Sequence, residues 1–511
     1  MASRPVLFAI ALAAGLGQAV SIAAPWNGQP LWWLQLLSLA ALAWTVQQSG
    51  SWRRAALCGW LFAIAWLAGT FWWLFISMHT YGGLPAPLAA AAVVALAAAL
   101  GLYYAAACAL FALLHGGSRW LGALLFASAW LLAELLRVTW FTGFPWGAAG
   151  YAHVEGPLSV LAAQVGVHGI GFLAALIAFA LSLMTHAAAL RSWRYWAVVA
   201  GAVGLLAACN FGAGPDSAVS PTPPRLSVAL LQGNIPQDEK FQGGTGIPVA
   251  LDWYARQLQG NPASLVVAPE TAIPMLPQQL PAGYYEALVA RFTGGEQAAL
   301  IGIPLGSFKH GYTNSVIGLR PGAPTYRFDK HHLVPFGEFI PPLFKWFTEM
   351  MNIPLGDFNR GPLPQEAFEW QGQRLAPNIC YEDLFGEELG VQFAKAATAP
   401  TIFVNVSNIA WFGNTVAIDQ HLHISRMRAL EFERPMIRAT NTGATVIIDH
   451  RGRVTHALPR HTRGVLTGEV EGRTTITPYA WWVSRAGLWP LWLLGLGVVA
   501  VAAWRPRARP Q

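Results

Sequence analysis

Apolar residues are spread unevenly along the chain and form long runs toward its two ends. Eight segments have the composition of membrane-spanning helices: residues 5–24, 30–47, 55–77, 87–114, 120–137, 168–189, 195–211 and 486–504. A spanning helix needs about 20 apolar residues, and these segments approach or exceed that length. The pattern predicts a polytopic membrane protein with seven spans before one globular region and an eighth span after it.

The stretch between the seventh and eighth segments has a different pattern. Short, β-branched apolar runs alternate there with helical patterns at 246–258, 383–398 and 417–433. The runs are residues 226–232, 265–268, 298–303, 313–319, 401–406 and 436–448. Strands alternating with helices are typical of a layered α/β domain. We expect four parts: a transmembrane domain (1–211), a linker (212–225), a globular domain (226–478) and a C-terminal helix with its tail (479–511).

The composition agrees with this division. Hydrophobic residues make up 54% of the 511 residues and charged residues 11%, whereas a soluble protein carries about 25% charged residues. The formal net charge is +7, and eight of the cations lie in short loops between apolar runs and in the tail: Arg53, Arg54, Arg119, Arg191, Arg194, Arg505, Arg507 and Arg509. A nucleic-acid-binding protein would cluster its cations on one surface, so we expect no nucleic-acid partner.

The positions of these arginines also predict an orientation. If Arg4 is cytoplasmic, every cation-rich loop falls on the cytoplasmic side, as the positive-inside rule requires. The loops at 79–86 and 138–167 then face outward, together with the globular domain, and both termini are cytoplasmic. Residues 1–24 could alternatively be a cleaved signal peptide, but the alternation of the loops favours an uncleaved first span.

One cysteine stands apart from the others. Cys58, Cys108 and Cys209 lie in predicted spans, where cysteine behaves as a small hydrophobic residue. Cys380 alone lies in the outward domain, where an unpaired thiol is a liability unless it is buried and inert or has a function. It follows an extended run and precedes a helical pattern. Backbone N–H groups at such a junction lower a thiol pKa and can bind an oxyanion.

Two further segments carry charges that a thiol nucleophile needs. Glu270 ends the apolar run that begins at Leu265, and Lys330 lies eight residues before Glu338 in a stretch punctuated by Pro and Gly. A carboxylate can accept the thiol proton, and an ammonium can stabilise a tetrahedral oxyanion. Each segment alone is weak evidence for a catalytic site, because such residues are usually solvated surface charges.

Taken together, Glu270, Lys330 and Cys380 resemble the Glu-Lys-Cys triad of the nitrilase superfamily, whose members share an α-β-β-α sandwich. Seven spans before such a domain and one after it resemble the apolipoprotein N-acyltransferase family. The resemblance covers nearly the whole chain. The matching segments are Thr142–Trp146, Leu231–Pro236, Pro269–Pro274, Lys330–Phe339, Cys380–Glu382, Ala410–Gly413 and Arg426–Glu431.

The resemblance implies an activity and a location. A fatty acyl chain would pass from a phospholipid, typically phosphatidylethanolamine, through a thioester on Cys380 to the α-amino group of the N-terminal diacylglyceryl-cysteine of an apolipoprotein. The enzyme would be a monomer in the inner membrane of a Gram-negative bacterium. Its sandwich would lie in the periplasm, inserted between spans seven and eight, and it would use no cofactor and no metal.

The resemblance also assigns roles to the three central residues. Glu270 would be the general base, Cys380 the nucleophile, and Lys330 the oxyanion partner together with the backbone N–H that follows Cys380. Glu338 would keep Lys330 charged and oriented. We expect burial and the like charge of Glu338 to raise the pKa of Glu270, and Lys330 to oppose that shift.

Further residues match family positions around the substrates. Tyr381 and Glu382 would shape the pocket, as would Asn314. The expected lid or entrance residues are Trp146, Phe241 and Trp411. Arg137 ends a predicted span beside the entrance, where it would either meet a lipid head group or anchor the helix at the interface.

The chain departs from the family pattern at a few positions. Phe241 stands where the family often has Trp, so an aromatic lid is kept. Ile409 stands where Asp is usual, so a polar role at that position does not transfer. Asn414 and Thr415 replace an Asp-Ser pair.

Other functions remain as alternatives. The triad alone would also fit a membrane-tethered amidase or nitrilase that acts on a small amide. A non-catalytic transport protein would need more ionisable residues in its spans. His421 and His423 could be metal ligands, but residues two apart on a helix point in different directions.

Overall fold

The computed structural model describes residues 3–116, 118–185, 224–307, 309–340 and 358–504. In chain order, the helices are α1 (Arg4–Ile22), α2 (Trp32–Gln48), α3 (Trp52–Thr70), α4 (Ala86–Leu114), α5 (Arg119–Thr139), α6 (Ala162–Ser182), α7 (Gly246–Gly260), α8 (Tyr284–Thr293), α9 (Ala417–Phe432), α10 (Pro478–Ala486) and α11 (Trp489–Trp504). Short 3-10, π and single-turn helices connect several of these elements.

The strands all follow the six N-terminal helices. They are β1 (Leu226–Gln232), β2 (Leu265–Ala268), β3 (Ala298–Ser307), β4 (Gly311–Leu319), β5 (Tyr326–Asp329), β6 (Phe368–Trp370), β7 (Gln373–Ile379), β8 (Ile402–Ser407), β9 (Met436–Thr440), β10 (Val446–Ile448), β11 (Val454–Ala457) and β12 (Gly464–Val470). The described residues divide into two compact units. The first falls within the ranges 1–72, 90–218 and 486–511, and the second within 73–89 and 219–485.

The described helices include four that are long and apolar enough to cross a membrane singly: α1, α4, α5 and the stretch Pro157–Ser182. Two bent pairs pass the same test together, at angles of 62° (α3 with Leu74–Tyr81) and 85° (α10 with α11). Four to six candidate spans are therefore present in the described ranges, where the sequence predicted eight.

The remaining predicted spans have separate explanations. Helix α2 coincides with the predicted span 30–47 but has 17 residues, at the short end of the lengths that cross a bilayer. The predicted span 195–211, residues 186–189 of the span before it, most of the linker and the cationic tail from Arg505 lie outside the described residues.

Two six-stranded sheets form the centre of the second unit. Their strand orders are β12-β1-β2-β3-β4-β5 and β11-β10-β9-β8-β7-β6. Each sheet has three parallel strands in its interior, β1-β2-β3 in one and β9-β8-β7 in the other. Parallel strands are covered on both faces, so they are apolar throughout, as the fully buried Leu265–Ala268 is.

Apolar side chains fill the space between the sheets and between the sheets and helices. One core cluster joins the inner faces of both sheets, for example through Val228 and Val404. A second cluster packs α7 and α8 against the first sheet. On the second sheet, the Phe432 ring of α9 contacts Phe403, with 5.5 Å between ring centroids. The predicted α-β-β-α sandwich is confirmed.

The strand and helix predictions differ from the structure in several places. The predicted helix 383–398 is replaced by short turns, with helical bounds Gly386–Gly390 and Val391–Phe393. A Cβ on Gly386 would lie 1.9 Å from an Arg428 guanidinium nitrogen and one on Gly390 would lie 2.6 Å from Val483, so close tertiary packing fixes this segment. Helix α8 and the strands β5, β6, β11 and β12 were not predicted, and the predicted run 436–448 forms two strands, β9 and β10.

Residues 73–89, which follow α3 and include the first turn of α4, belong to the second unit. The Trp73 indole N–H donates a hydrogen bond of 3.0 Å to Oε1 of Gln420 on α9. The same ring contacts Phe412, with 4.2 Å between centroids, and Tyr81 meets Trp411 edge-on at 5.9 Å. Residues 73–89 are therefore packed against the loop that carries Trp411.

Candidate active site

The three residues of the predicted triad follow the ends of three strands. Glu270 comes two residues after β2, Lys330 directly after β5, and Cys380 directly after β7. Cys380 has a left-handed backbone with φ of +52°, and Thr271, next to Glu270, has φ of +46°. Non-glycine residues rarely adopt this conformation, and such residues concentrate at functional sites. Cys380 is partly buried, and the two charged residues are buried.

A polar network joins the charged residues at this point. Lys330 Nζ lies 3.4 Å from Oε1 of Glu270 and 2.8 and 2.9 Å from the two carboxylate oxygens of Glu338. Asn314 Nδ2 donates hydrogen bonds to Oε1 of Glu270 at 2.7 Å and of Glu338 at 2.8 Å. The backbone carbonyl oxygen of Asn314 also accepts a hydrogen bond of 2.8 Å from the backbone N–H of Lys330. The structure therefore brings together Glu270, Lys330, Glu338 and Asn314.

Two residues that the sequence did not single out complete this network. The backbone N–H of Asn408 donates to Oε2 of Glu270 at 2.8 Å, and the buried Lys240 donates from Nζ to the Glu270 carbonyl oxygen at 3.1 Å. Lys240 precedes the predicted lid residue Phe241, with its Nζ 5.8 Å from that ring's centroid. Nothing in the sequence around Lys240 indicated that this lysine would contact Glu270.

The charges around Glu270 determine its protonation. Burial by itself raises the pKa of Glu270, but Lys330, the Asn314 amide, Lys240 and the Asn408 N–H together hold this pKa below its ordinary value. Burial tends to lower the pKa of Lys330, yet Glu338 and Glu270 raise it well above normal. The expected rise at Glu270 was therefore wrong, since the surrounding donors outweigh burial.

Burial raises the pKa of the Cys380 thiol and lowers the pKa of Lys240, so it favours the neutral form of both groups. Burial first, and then the negative charge of Glu270, raise the pKa of Cys380 to about 12, against the opposing effect of Lys330. The expected lowering by backbone N–H groups is therefore wrong for the resting thiol. Burial lowers the pKa of Lys240 to about 7, although Glu270 and Cys380 both favour its charged form. Glu270 is thus ionised beside a neutral thiol, which suits it to accept the thiol proton.

Glu382 holds the backbone around Cys380 in place. Its carboxylate accepts the N–H of Ile379 at 2.6 Å, of His331 at 2.7 Å and of His332 at 3.3 Å. It therefore ties the end of β7 to the segment that follows Lys330. Burial raises the pKa of Glu382 to about 8, although these three N–H groups favour its ionised form.

The remaining predicted site residues fall into two groups. In the second unit, Tyr381 is buried and contacts Phe385 edge-on at 5.3 Å. Phe241 and Trp411 are partly exposed. Trp146 and Arg137 belong to the first unit, where both are buried.

Arg137 supports the backbone of the Thr142–Trp146 segment. Its guanidinium donates to the carbonyl oxygens of Phe144 at 3.0 Å and Trp146 at 2.7 Å, and to the Tyr104 hydroxyl at 3.0 Å. One turn earlier on α5, Glu134 accepts the Ala149 N–H at 2.8 Å. The side chain of Arg137 is 1% exposed, and its contact with a lipid head group stays a prediction.

Ile409, which stands where the family usually has Asp, packs closely with its neighbours. Ile409 is 1% exposed, and a Cβ on Gly443 would lie 2.5 Å from its side chain. The isoleucine therefore fills apolar space next to a glycine. Within the described ranges, no group of three or more His, Cys, Asp and Glu residues could hold a metal ion.

Two protein families match different parts of the chain. Residues 227–479 match the carbon-nitrogen hydrolase family, and residues 16–180 match the apolipoprotein N-acyltransferase N-terminal domain. An apolipoprotein N-acyltransferase of Verminephrobacter eiseniae is 63% identical over 94% of this chain and 92% of its own length. One of Ralstonia nicotianae is 46% identical over 98% of this chain and 94% of its own length.

Among solved structures, a CN-hydrolase superfamily protein from Xanthomonas campestris aligns with a TM-score of 0.37. It has 19% identity and covers 52% of this chain and 96% of its own. The second unit contains a carbon–nitrogen hydrolase domain. With its N-terminal match and its full-length relatives, the chain belongs to the apolipoprotein N-acyltransferase family.

Proposed function

We propose that this protein transfers a fatty acyl chain from a phospholipid, such as phosphatidylethanolamine, to the α-amino group of the N-terminal diacylglyceryl-cysteine of an apolipoprotein. The reaction passes through a thioester on Cys380. The observation that carries this proposal is the placement of an ionised Glu270 and a charged Lys330, 3.4 Å apart, with electrostatic coupling of both to the Cys380 thiol.

The first half-reaction forms the acyl-enzyme. Because the resting thiol is neutral, Glu270 takes its proton as Cys380 Sγ attacks the ester carbonyl carbon. The tetrahedral oxyanion is stabilised by Lys330 Nζ and the Tyr381 N–H. When the intermediate collapses, the ester C–O bond breaks. The lysophospholipid alkoxide takes the proton from Glu270 and leaves.

The second half-reaction transfers the acyl chain to nitrogen. The acceptor amine attacks the thioester carbonyl, and Glu270 takes one amine proton. The C–S bond then breaks, and the thiolate recovers that proton from Glu270, so the acid and base roles of this carboxyl alternate. Water must be kept from the thioester for aminolysis to prevail over hydrolysis. Phe241, Trp146 and Trp411 are the aromatic residues proposed to do so.

Glu338 and Asn314 act on the other members of the site. Glu338 contacts Lys330 through both carboxylate oxygens and keeps it charged. Asn314 holds the Glu270 and Glu338 carboxylates at a fixed separation. Glu382 fixes the strand end that carries Cys380.

The proposed location is the inner membrane of a Gram-negative bacterium. Eight spans, with the sandwich inserted between the last two, place the sandwich in the periplasm and both termini in the cytoplasm. The positive-inside rule supports this arrangement, since Arg53, Arg54 and Arg119 then share the cytoplasmic side with Arg4. The enzyme acts as a monomer without a cofactor or metal.

Intact-mass spectrometry of the purified protein in detergent tests the activity. Incubation with phosphatidylethanolamine of one acyl composition is expected to add one acyl chain to the wild type. Cys380→Ser is expected to gain no hydroxylamine-sensitive adduct. A synthetic diacylglyceryl-cysteine peptide then removes the acyl chain and gains it as an amide.

The alternative activities predict different spectra. A wild-type protein that gains no acyl chain would contradict the proposal. Discharge by water at the same rate with and without peptide, without acylated peptide, would instead favour a hydrolase such as an amidase.

A further inference from the structure

A buried polar network lies behind the nucleophile, and its centre is His421 on α9. His421 is 0% exposed. Its Nε2 lies 3.1 Å from the carbonyl oxygen of Cys380 and 2.9 Å from Oδ1 of Asp383. The histidine that the sequence raised as a weak metal candidate therefore contacts the backbone of the reactive cysteine.

Arg438 on β9 determines which ring nitrogen of His421 carries the proton. An Arg438 guanidinium nitrogen lies 2.7 Å from His421 Nδ1. A guanidinium can only donate, so Nδ1 must accept, and the proton of the neutral ring lies on Nε2. Burial and Arg438 both lower the pKa of His421 against the opposing effect of Asp383, which favours this neutral ring. Nε2–H is then a donor shared by the Cys380 carbonyl and Asp383.

The rest of the network holds both charged partners in place. Ser425 Oγ donates to Oδ2 of Asp383 at 2.5 Å and also receives a hydrogen bond from Arg438. Arg438 lies 3.6 Å from Asp383 and donates to the His421 carbonyl oxygen at 3.2 Å. The Asp383 carboxylate is thus the common partner of His421 and Ser425, both on α9, and of Arg438 on β9.

Holding the Cys380 carbonyl also orients the next backbone N–H. The Cys380–Tyr381 peptide bond is trans, so its C=O and N–H point in opposite directions in one plane. The carbonyl oxygen accepts from His421 Nε2 at 3.1 Å and from Asn405 Nδ2 at 3.4 Å. Since Cys380 has a left-handed φ of +52°, its peptide plane needs such support to keep one orientation.

We propose that His421 is a positioning residue that holds the Cys380–Tyr381 peptide group so that the Tyr381 N–H aims at the oxyanion of each tetrahedral intermediate. The inference deepens the acyl-transfer function proposed above and rests on it. A hydrogen bond accepted by the carbonyl also polarises the peptide group and strengthens its N–H as a donor. Both half-reactions form an oxyanion, so both depend on His421.

Single-turnover kinetics of His421→Leu test the proposal. Removing a fully aligned oxyanion donor costs about 100- to 1000-fold in rate. Because a misaimed donor retains part of its effect, we expect acyl-enzyme formation to slow by about 10- to 100-fold. Transfer to the peptide should slow by a similar factor. The phosphatidylethanolamine concentration at half-maximal rate should stay the same, because His421 does not touch the lipid.

Two further variants separate positioning from packing. His421→Gln keeps a side-chain N–H donor and is expected to recover most of both rates. Arg438→Lys keeps a positive charge near Asp383 but removes the fork that fixes the tautomer, so both rates should fall. If His421→Leu does not fold, the two rates of Arg438→Lys test whether His421 positions the peptide group. His423→Leu, at another buried position of the same helix, is the matched control and should keep both rates.

The outcomes distinguish this inference from the function on which it rests. A wild-type protein without a thioester would contradict the proposed function itself. A normal thioester in the wild type, with unchanged rates in His421→Leu and Arg438→Lys, would overturn only the role of His421. Equal losses in the Leu and Gln variants, with a raised half-saturating lipid concentration, would indicate general distortion and overturn it as well.

Discussion

The side-chain amide of Asn314 donates a hydrogen bond of 2.7 Å to Oε1 of Glu270. This donor stabilises the charged carboxylate and helps to hold the Glu270 pKa down. The proposed base is therefore ionised at neutral pH without a substrate.

Replacing Asn314 with Leu should shift the pH dependence of acylation. Asn314 favours the ionised form of Glu270, and a hydrogen bond to a charged group contributes about 1.5–3 kcal/mol. Without this donor, the pKa of Glu270 rises, so the acidic limb of the acylation rate moves to higher pH. Single-turnover thioester formation between pH 4 and 8 measures it. An unshifted acidic limb would show that Asn314 does not act on the base.

Two substitutions at Glu338 should separate its charge from its contacts. Glu338→Gln keeps an oxygen acceptor for Lys330 and for the Val334 N–H, which the native side chain accepts at 2.8 Å. We expect it to fold and to lose acylation rate. Glu338→Ala leaves the buried Lys330 without this partner, and breaking a buried ion pair destabilises a protein by about 3–5 kcal/mol. Thermal unfolding in detergent should therefore distinguish the two, and equal unfolding temperatures would contradict this role.

Lys240 should make stability depend on pH. Its pKa is lowered to about 7 in the folded protein and is about 10.4 in an unfolded chain, so the unfolded state binds more protons between these values. The native state is penalised in full below pH 7 and gains up to about 2 kcal/mol between pH 7 and 9. In Lys240→Met this part of the pH dependence of the unfolding temperature should disappear.

The matched control for this prediction is the exposed Lys395. Lys395→Met should keep the wild-type dependence of unfolding temperature on pH. A Lys240→Met protein with the same slope as the wild type between pH 7 and 9 would show that Lys240 is charged throughout this range.

Reporter fusions test the proposed topology. Alkaline phosphatase folds only in the periplasm, whereas green fluorescent protein exported in unfolded form is dark. Fusions after Thr477 should have phosphatase activity and no fluorescence, and fusions after Gln511 should show the reverse. The same reporter state at both positions would contradict a final span between them.

The sequence predicted the parts of the site that follow from local patterns. Glu270 follows an apolar run and Cys380 an extended run, both of which could be recognised from their neighbours. Lys330, whose strand β5 was not predicted, was singled out by its charge near Glu338, and the family motifs added Glu338 and Asn314. Local patterns predicted a layered α/β domain, and the α-β-β-α sandwich was expected from the family resemblance. The raised thiol pKa was not predicted, because it depends on burial and on the Glu270 carboxylate, which lies 110 residues away in the sequence.

Residues that act through tertiary contacts were missed. Lys240 meets Glu270 through a backbone carbonyl oxygen, and the Asn408 contact uses a backbone N–H, so neither depends on a motif that side-chain type reveals. His421 was noticed only as half of a histidine pair. Its role depends on Arg438, whose position beside it arises when α9 packs on the second sheet.

The placement of residues 73–89 in the second unit affects which fragments of this protein can fold as autonomous modules. Along the described residues, the chain passes from one unit to the other four times: after residues 72, 89 and 485, and once between residues 185 and 224. A recombinant fragment cut at the family boundaries, 227–479, would omit Trp73 and Tyr81, which pack against Phe412 and Trp411. The second unit is therefore discontinuous in sequence, and a fragment that keeps it whole would need residues 73–89 grafted back.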